Sequence, residues 1–167
     1  PRSVKGLVKR EIVRIVSPGT VINSSLLTDK SNNFLTAVTQ VGNVHGLSIL
    51  DLTTADFKVM EFEDCKELLD ELCRLRPKEM IVSEKWHQKQ FELLEEIKNH
   101  FPVAIHVKDD WHFDHRHACT ILLRHFQVHN LDGFGLNGMI AGINAAGAVL
   151  HYICEDLNLS AEHIKTL

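Results

Sequence analysis

The chain has 167 residues, 44% hydrophobic and 24% charged, with a formal net charge of -4. That length holds one domain with short appendages, able to bury roughly 68–70% of its unfolded surface. The slightly acidic balance gives no electrostatic basis for a stand-alone nucleic-acid binder, which would carry a strongly basic face.

The chain opens with Val8 to Thr20, VKREIVRIVSPGT, in which Val13, Ile15 and Val16 mix with Lys9, Arg10, Glu11 and Arg14 before Pro18-Gly19. A charged, β-branched run closed by Pro-Gly predicts a half-buried strand and a turn. The basic residues Arg2, Lys5, Lys9, Arg10 and Arg14 read as its solvated face. Residues 21–32, rich in Ser, Asn and Thr, read as a linker. The lack of an initiating Met and the abrupt end at Leu167 suggest a fragment.

Strands are predicted over Phe34–Val41, Leu47–Thr53 and Phe57–Phe62, joined at Gly42-Asn43 and Thr54-Ala55-Asp56. Connections this short require antiparallel neighbours. The period then changes. Asp64 with Glu67 three residues on is a capping-box-like start. Cys65, Leu68, Leu72 and Leu75 share a helical face, and Pro77 ends the helix. Met80–Ser83 is a short buried strand, Phe91, Leu94 and Ile97 mark the inner face of a second helix, and Pro102–Val107 is a fifth strand. A third helix is expected from about Asp114 to Gln127, with Cys119, Leu122 and Phe126 inward, and an apolar helix follows Gly138. Gly142, Ala145, Ala146 and Gly147 give that last helix a smooth side for close packing. At Met139–Ile153 the apolar run falls short of the roughly 20 residues that span a bilayer. A meander followed by helix-strand-helix-strand-helix predicts an α/β domain: a ribonuclease-H-like mixed sheet of about five strands. Three are antiparallel, two are added by helical crossovers, and helices cover the faces.

Four patterns bear on chemistry. Gly133-Phe134-Gly135-Leu136-Asn137-Gly138 is a literal G-x-G-x-x-G, but it lacks a strand directly before it and another after the helix, as a dinucleotide site requires. The glycines read as loop-shaping. His106, His112, His115, His117, His125 and His129 interleave with Asp109, Asp110, Asp114 and Cys119. Of these, His115 and Cys119 have helical i, i+4 spacing, which can bring metal ligands together. The expectation is one or two hydrogen-bonded imidazoles with the rest solvated, and no metal ligands. For two-metal hydrolysis the candidates are Asp51, Asp109 and Asp110, yet nothing acidic stands mid-strand in Phe34–Val41. Glu61 and Glu63 read as exposed strand-end charges. On the outward side of the third helix, His117, Thr120, Ile121 and Arg124 form a candidate protein-docking patch with an apolar centre. Cys65, Cys73, Cys119 and Cys154 contain no C-x-x-C pair and read as buried thiols of a reducing compartment. The expected location is cytoplasmic.

VKREIVRIVSPGT, Asn33-Phe34-Leu35-Thr36-Ala37, Leu50 to Phe57 (LDLTTADF), His125 to Val128 (HFQV), Leu131 to Leu136 (LDGFGL) and Ala145 to Tyr152 (AAGAVLHY) follow in order along the chain. Together they resemble the connector domain of the MutS mismatch-repair family. The resemblance implies residues 1–20 as the tail of a mismatch-recognition domain, 21–32 as linker, 33–156 as connector, and 157–167 as the start of a linker to a core domain. It implies a non-catalytic role: relaying conformational signals between mismatch-binding and ATPase regions and offering a surface to MutL. The parent would be a homodimer that meets mismatched DNA and uses ATP and Mg outside this segment, which itself needs no cofactor and touches no membrane. Neither a Phe-x-Glu wedge nor a phosphate loop occurs in these residues. Ala55-Asp56 replaces the family's commoner Gly-Glu at the hairpin. The alternative reading is a metal-dependent nuclease of ribonuclease-H-like fold.

Overall fold

A computed structural model describes residues 33–167, so the expected first strand, the basic cluster and the linker lie outside the described residues. β1 (Phe34–Val41), β2 (Val44–Asp51) and β3 (Asp56–Phe62) form the meander. β4 (Glu79–Ser83) joins β1 and β5 (Ala104–Lys108) joins β4, both in parallel. The sheet order is β3-β2-β1-β4-β5, the mixed five-stranded arrangement expected of a ribonuclease-H-like fold. The β1–β2 turn has Val41 opposite Val44, with Gly42 at φ 60°, the positive angle a II′-type first position requires.

Strand alternation divides the core into two layers. Val38, Leu47, Ile49, Met80 and Val82 face α1 (Cys65–Leu75), α2 (Glu84–Lys89) and α3 (Phe91–His100), which carry the crossovers. Leu35, Ala37, Leu50 and Ile81 face α4 (His115–Phe126) and α5 (Ile140–His151). Asp64 caps α1 as expected, accepting from the Lys66 amide. The short helix α2 is an addition to the sequence expectation. Its Ser83 cap accepts from the Trp86 amide, and Trp86 is buried.

Close approach depends on missing side chains. At Gly46 of β2 a Cβ would lie 2.1 Å from the Ala141 carbonyl carbon of α5, so only glycine lets this helix cross the sheet. Gly147 meets Ala118 of α4 in the same way, the smooth contact anticipated from the small residues of α5. The α5 N-terminus has no side-chain cap of its own. Instead Glu61 on β3 accepts from the Gly142 amide at 2.8 Å. The expectation that Glu61 is an exposed strand-end charge is thereby corrected: a carboxylate is favoured where unpaired helix amides and the positive end of the dipole meet.

After α5 the chain makes a π-turn over Tyr152–Asp156. The following residues, expected to begin a linker, bury Leu157, Ala161 and Ile164 in the α4–α5 layer. Among the described residues no helix is long and apolar enough to cross a membrane.

Candidate docking surface

Asp114 starts α4 by accepting from the His117 amide at 3.0 Å, and Gln127 ends it in the left-handed region at φ 54°. His117, Ile121 and Arg124 fall at i, i+4 and i+7, so they share one side of the helix, with Thr120 beside them. That side does not project freely into solvent at its centre. Ile121 is 7% exposed and belongs to the core with Ala118 and Leu122, whereas Cys119 and Phe126 are only partly buried. The expected inward stripe is therefore rotated. Close packing of Gly147 on Ala118 brings α5 against this flank of α4, and His125 donates to the Ile164 carbonyl across the helix end.

What remains open is a shallow pocket of about 210 Å³ between α4 and the end of α5. Its walls include Ile121, Arg124, Leu150, His151, Cys154 and Glu155. Arg124 and Glu155 approach to 3.5 Å across the mouth, both well exposed. Thr120 is exposed, its hydroxyl donating to the Arg116 carbonyl, and His117 is half-buried. Burial pushes the Cys154 thiol up, Glu155 adding to the shift and Arg124 opposing it. Cys119 is raised by burial and by Asp114. Both thiols are thus protonated and poor nucleophiles at neutral pH.

Beside this face stands Trp111, 50% exposed, on a 3₁₀ turn over Asp110–Phe113. Its ring stacks on His112 at 3.9 Å and meets His117 edge-on at 5.1 Å. Sequence reasoning passed over Trp111. The available signal was a large aromatic amid Asp and His, outside any apolar periodicity. Trp111, His117, Thr120 and Arg124 thus surround a largely covered Ile121, setting one exposed aromatic ring among polar groups.

Histidines of the rich segment separate into distinct roles. His115 bonds Asn144 of α5 at 2.8 Å, with Cys119 Sγ 3.6 Å from its other nitrogen. His106 lies 3.0 Å from the carboxylate of Glu79, which is fully buried on β4 and also accepts from the Tyr152 hydroxyl. Neither the Glu79 cluster nor the part played by His151 of α5 was read from the sequence. His151 lies 3.3 Å from His117. Burial, then the neighbouring His112 and His117, hold its imidazole below the ordinary range against the opposing pull of Asp156 and Glu155.

The candidate hydrolytic carboxylates Asp51, Asp109 and Asp110 are not brought together. Asp51 is buried opposite Phe34 at one end of the sheet and accepts from the Thr53 amide, so it ties a turn. Asp109 and Asp110 follow β5 at the other end, where Asp110 is bound by Lys85 at 3.1 Å. Some five residues of strand, roughly 15 Å, divide the two ends, whereas paired catalytic ions sit about 3.5–4 Å apart. The G-x-G-x-x-G motif follows no strand. Gly135 at φ 73° closes a 3₁₀ turn and Gly138 at φ 82° leads into α5, the loop-shaping role expected of them.

Comparison with known proteins places these residues in a family. The profile described as MutS domain II matches residues 33–165. Over its whole length the chain is 52% identical to the DNA mismatch repair protein MutS of Protochlamydia amoebophila, covering 20% of that protein. Over 95% of its length it is 41% identical to the Chlamydia abortus protein of the same name, covering 19% of it. With its counterpart in Lachnoclostridium phytofermentans it shares 35% identity over 98% of the chain and 18% of that protein. The chain thus spans about a fifth of the length of the curated relatives it matches.

Proposed function

The chain belongs to the MutS domain II family, and from that premise we propose that it is the non-catalytic connector of a mismatch-repair ATPase. It relays conformational change between the mismatch-binding and ATPase regions and docks MutL through the α4 face. The observation that carries the docking role is the α4–α5 pocket, floored by Ile121 and rimmed by Arg124 and Glu155, with exposed Trp111 nearby. Interface cores favour such an apolar floor with aromatic and arginine neighbours. Mismatched DNA, ATP with Mg, and homodimerisation belong to other parts of the parent protein, in the cytoplasm. No catalytic cofactor is assigned to this segment.

The packing supports a relay role. α5 touches the meander, α4 and the 3₁₀ turn carrying Trp111, so a displacement at one sheet edge has a contiguous packed route to the docking face. The separation of Asp51 from Asp109 and Asp110 supports the non-catalytic reading over a nuclease of the same fold. A Mg²⁺- or Mn²⁺-dependent nuclease assay separates the two, with no cleavage expected.

Arg124→Glu in the full-length protein tests the docking surface. Reversing a rim charge changes partner attraction while leaving the packing intact, and an exposed pair of the Arg124–Glu155 type contributes only about 0–1 kcal/mol to folding. Crosslinking to MutL with ATP and mismatched DNA should fall, with mismatch binding and ATPase rate retained. Wild-type crosslinking by the folded variant would move the docking surface elsewhere on the domain.

A further inference from the structure

One cluster of side chains has a chemistry that the docking role does not use, although His151 also borders the α4–α5 pocket. His112 comes from the 3₁₀ turn after β5, His151 from the last residue of α5, and Asp156 from the end of the π-turn. The two imidazoles are each 9% exposed. One ligand atom from each of the three groups lies within 4.8 Å of the others. Edges of a tetrahedral zinc site measure roughly 3.3–3.5 Å for ligands at 2.0–2.1 Å, so side-chain rotation of an ångström or so closes the set.

The surrounding hydrogen bonds fit the orientation such a site needs. His112 donates from Nδ1 to the Asp109 carbonyl at 3.0 Å, which leaves its Nε2 lone pair free. His151 has Nδ1 3.3 Å from His117 Nε2 and Nε2 3.8 Å from Asp156 Oδ1. When Nδ1–H donates to His117, Nε2 presents its lone pair on the Asp156 side. An imidazole whose other nitrogen is tied to a carbonyl or second polar group is the usual arrangement around a bound transition metal. Lys108 pairs with Asp156 Oδ2 at 2.7 Å and so leaves Oδ1 for the imidazoles.

We propose that His112 Nε2, His151 Nε2 and Asp156 Oδ1 form a binding site for a borderline divalent transition metal, zinc foremost, that pins the Trp111 turn to the end of α5. Two imidazoles and one carboxylate suit zinc better than magnesium or calcium, which favour all-oxygen sites. With three protein ligands, water completes the tetrahedron. The ion would lie beneath Trp111, whose ring contacts both His112 and His151.

Zinc titration calorimetry and Co²⁺ absorption on the 167-residue chain test this, with circular dichroism confirming that each variant is folded. Saturable binding of one ion is expected, with visible cobalt bands and no sulfur-to-cobalt charge transfer in the near ultraviolet. Asp156→Asn and His112→Gln should each weaken binding by at least about tenfold, while His115→Gln, which disrupts the competing His115–Cys119 pair, should not. Zinc should also raise the melting temperature of the wild type and not of Asp156→Asn. A thiolate charge-transfer band, equal affinity in Asp156→Asn and His112→Gln, or no saturation by roughly 0.1 mM metal at neutral pH would overturn the assignment.

Discussion

Ala55 occupies the β2–β3 turn at φ 62°, in the left-handed region where an L side chain crowds the backbone. The same residue stands where the resembled family more often has glycine. Ala55→Gly removes a strain of roughly 1–2 kcal/mol and returns part of it as the unfolded-state entropy of glycine. The expected outcome is stabilisation by up to about 1 kcal/mol, read as a higher urea midpoint at unchanged m-value. At Ile121 the sign is opposite. A side chain only 7% exposed and packed in the α4–α5 layer cannot be exchanged for a carboxylate without loss of burial and of hydration. Ile121→Glu should cost about 2–4 kcal/mol, whereas Ile121→Val should cost about 0.5–1.5. Chemical denaturation of the two variants checks the difference. If Ile121→Glu unfolds at the wild-type midpoint, position 121 is solvated and its assignment to the core fails. Loss of the proposed MutL contact in that variant would therefore report on folding first, which is why Arg124→Glu is the cleaner probe of the proposed docking.

At the scale of elements, the position of α5 depends on two absent side chains. Gly46 allows its backbone to lie on β2, and Gly147 allows α4 to lie against it. In Gly46→Ala the added methyl meets the Ala141 backbone rather than a mobile side-chain end, so the whole helix must shift. Overpacking of this kind costs about 1–3 kcal/mol, occasionally more. The expected signature is a lower urea midpoint together with a changed environment of Trp111, because the 3₁₀ turn packs on α5. A variant as stable as wild type would show that α5 rides further from the sheet than described. The π-turn after α5 belongs to the same scale. It carries Tyr152 to Glu79, and it carries Asp156 to Lys108 and His151. Such local widening of a helix is often found where side chains must be re-aimed for function.

For the whole molecule, buried histidines set the acid limb of stability. His45 on β2 is 2% exposed, and its imidazole is held below the ordinary value by burial first and by Lys89 second. His151 is displaced in the same direction. The unfolded chain, with histidine at about 6.5, therefore binds more protons than the folded one as pH falls through that value. Stability is fully present above about pH 6.5 and declines below it toward the depressed folded values. The lowered carboxyls of Glu71 and Asp110 act in a separate, more acidic window, below about 4.5. Urea midpoints measured between pH 7.5 and roughly 5 should fall for the wild type and fall less steeply for His45→Gln. Equal slopes would remove His45 as a cause.

Local chain chemistry alone determined the meander, the parallel strands, the helices of both layers apart from α2, and the family resemblance, but it placed Phe91 on the inner face of α3, where the side chain is 56% exposed. The Asp64 cap and the small-residue side of α5 are short-range patterns that survive folding unchanged, whereas the alternation expected over Phe57–Phe62 holds only for buried Phe57 and exposed Lys58. The tertiary structure decided which flank of each helix met another element. Periodicity in α4 favoured Cys119, Leu122 and Phe126 as the inward stripe, whereas contact with α5 buried the adjacent flank containing Ile121. The same holds for Glu61, which looked solvated until the start of α5 was placed beside it, 81 residues away in sequence. The His112–His151–Asp156 cluster joins a turn, a helix end and a π-turn, so no local spacing encodes it. Amphipathic pattern is a property of neighbours along the chain. A site depends on which distant residues close packing brings together.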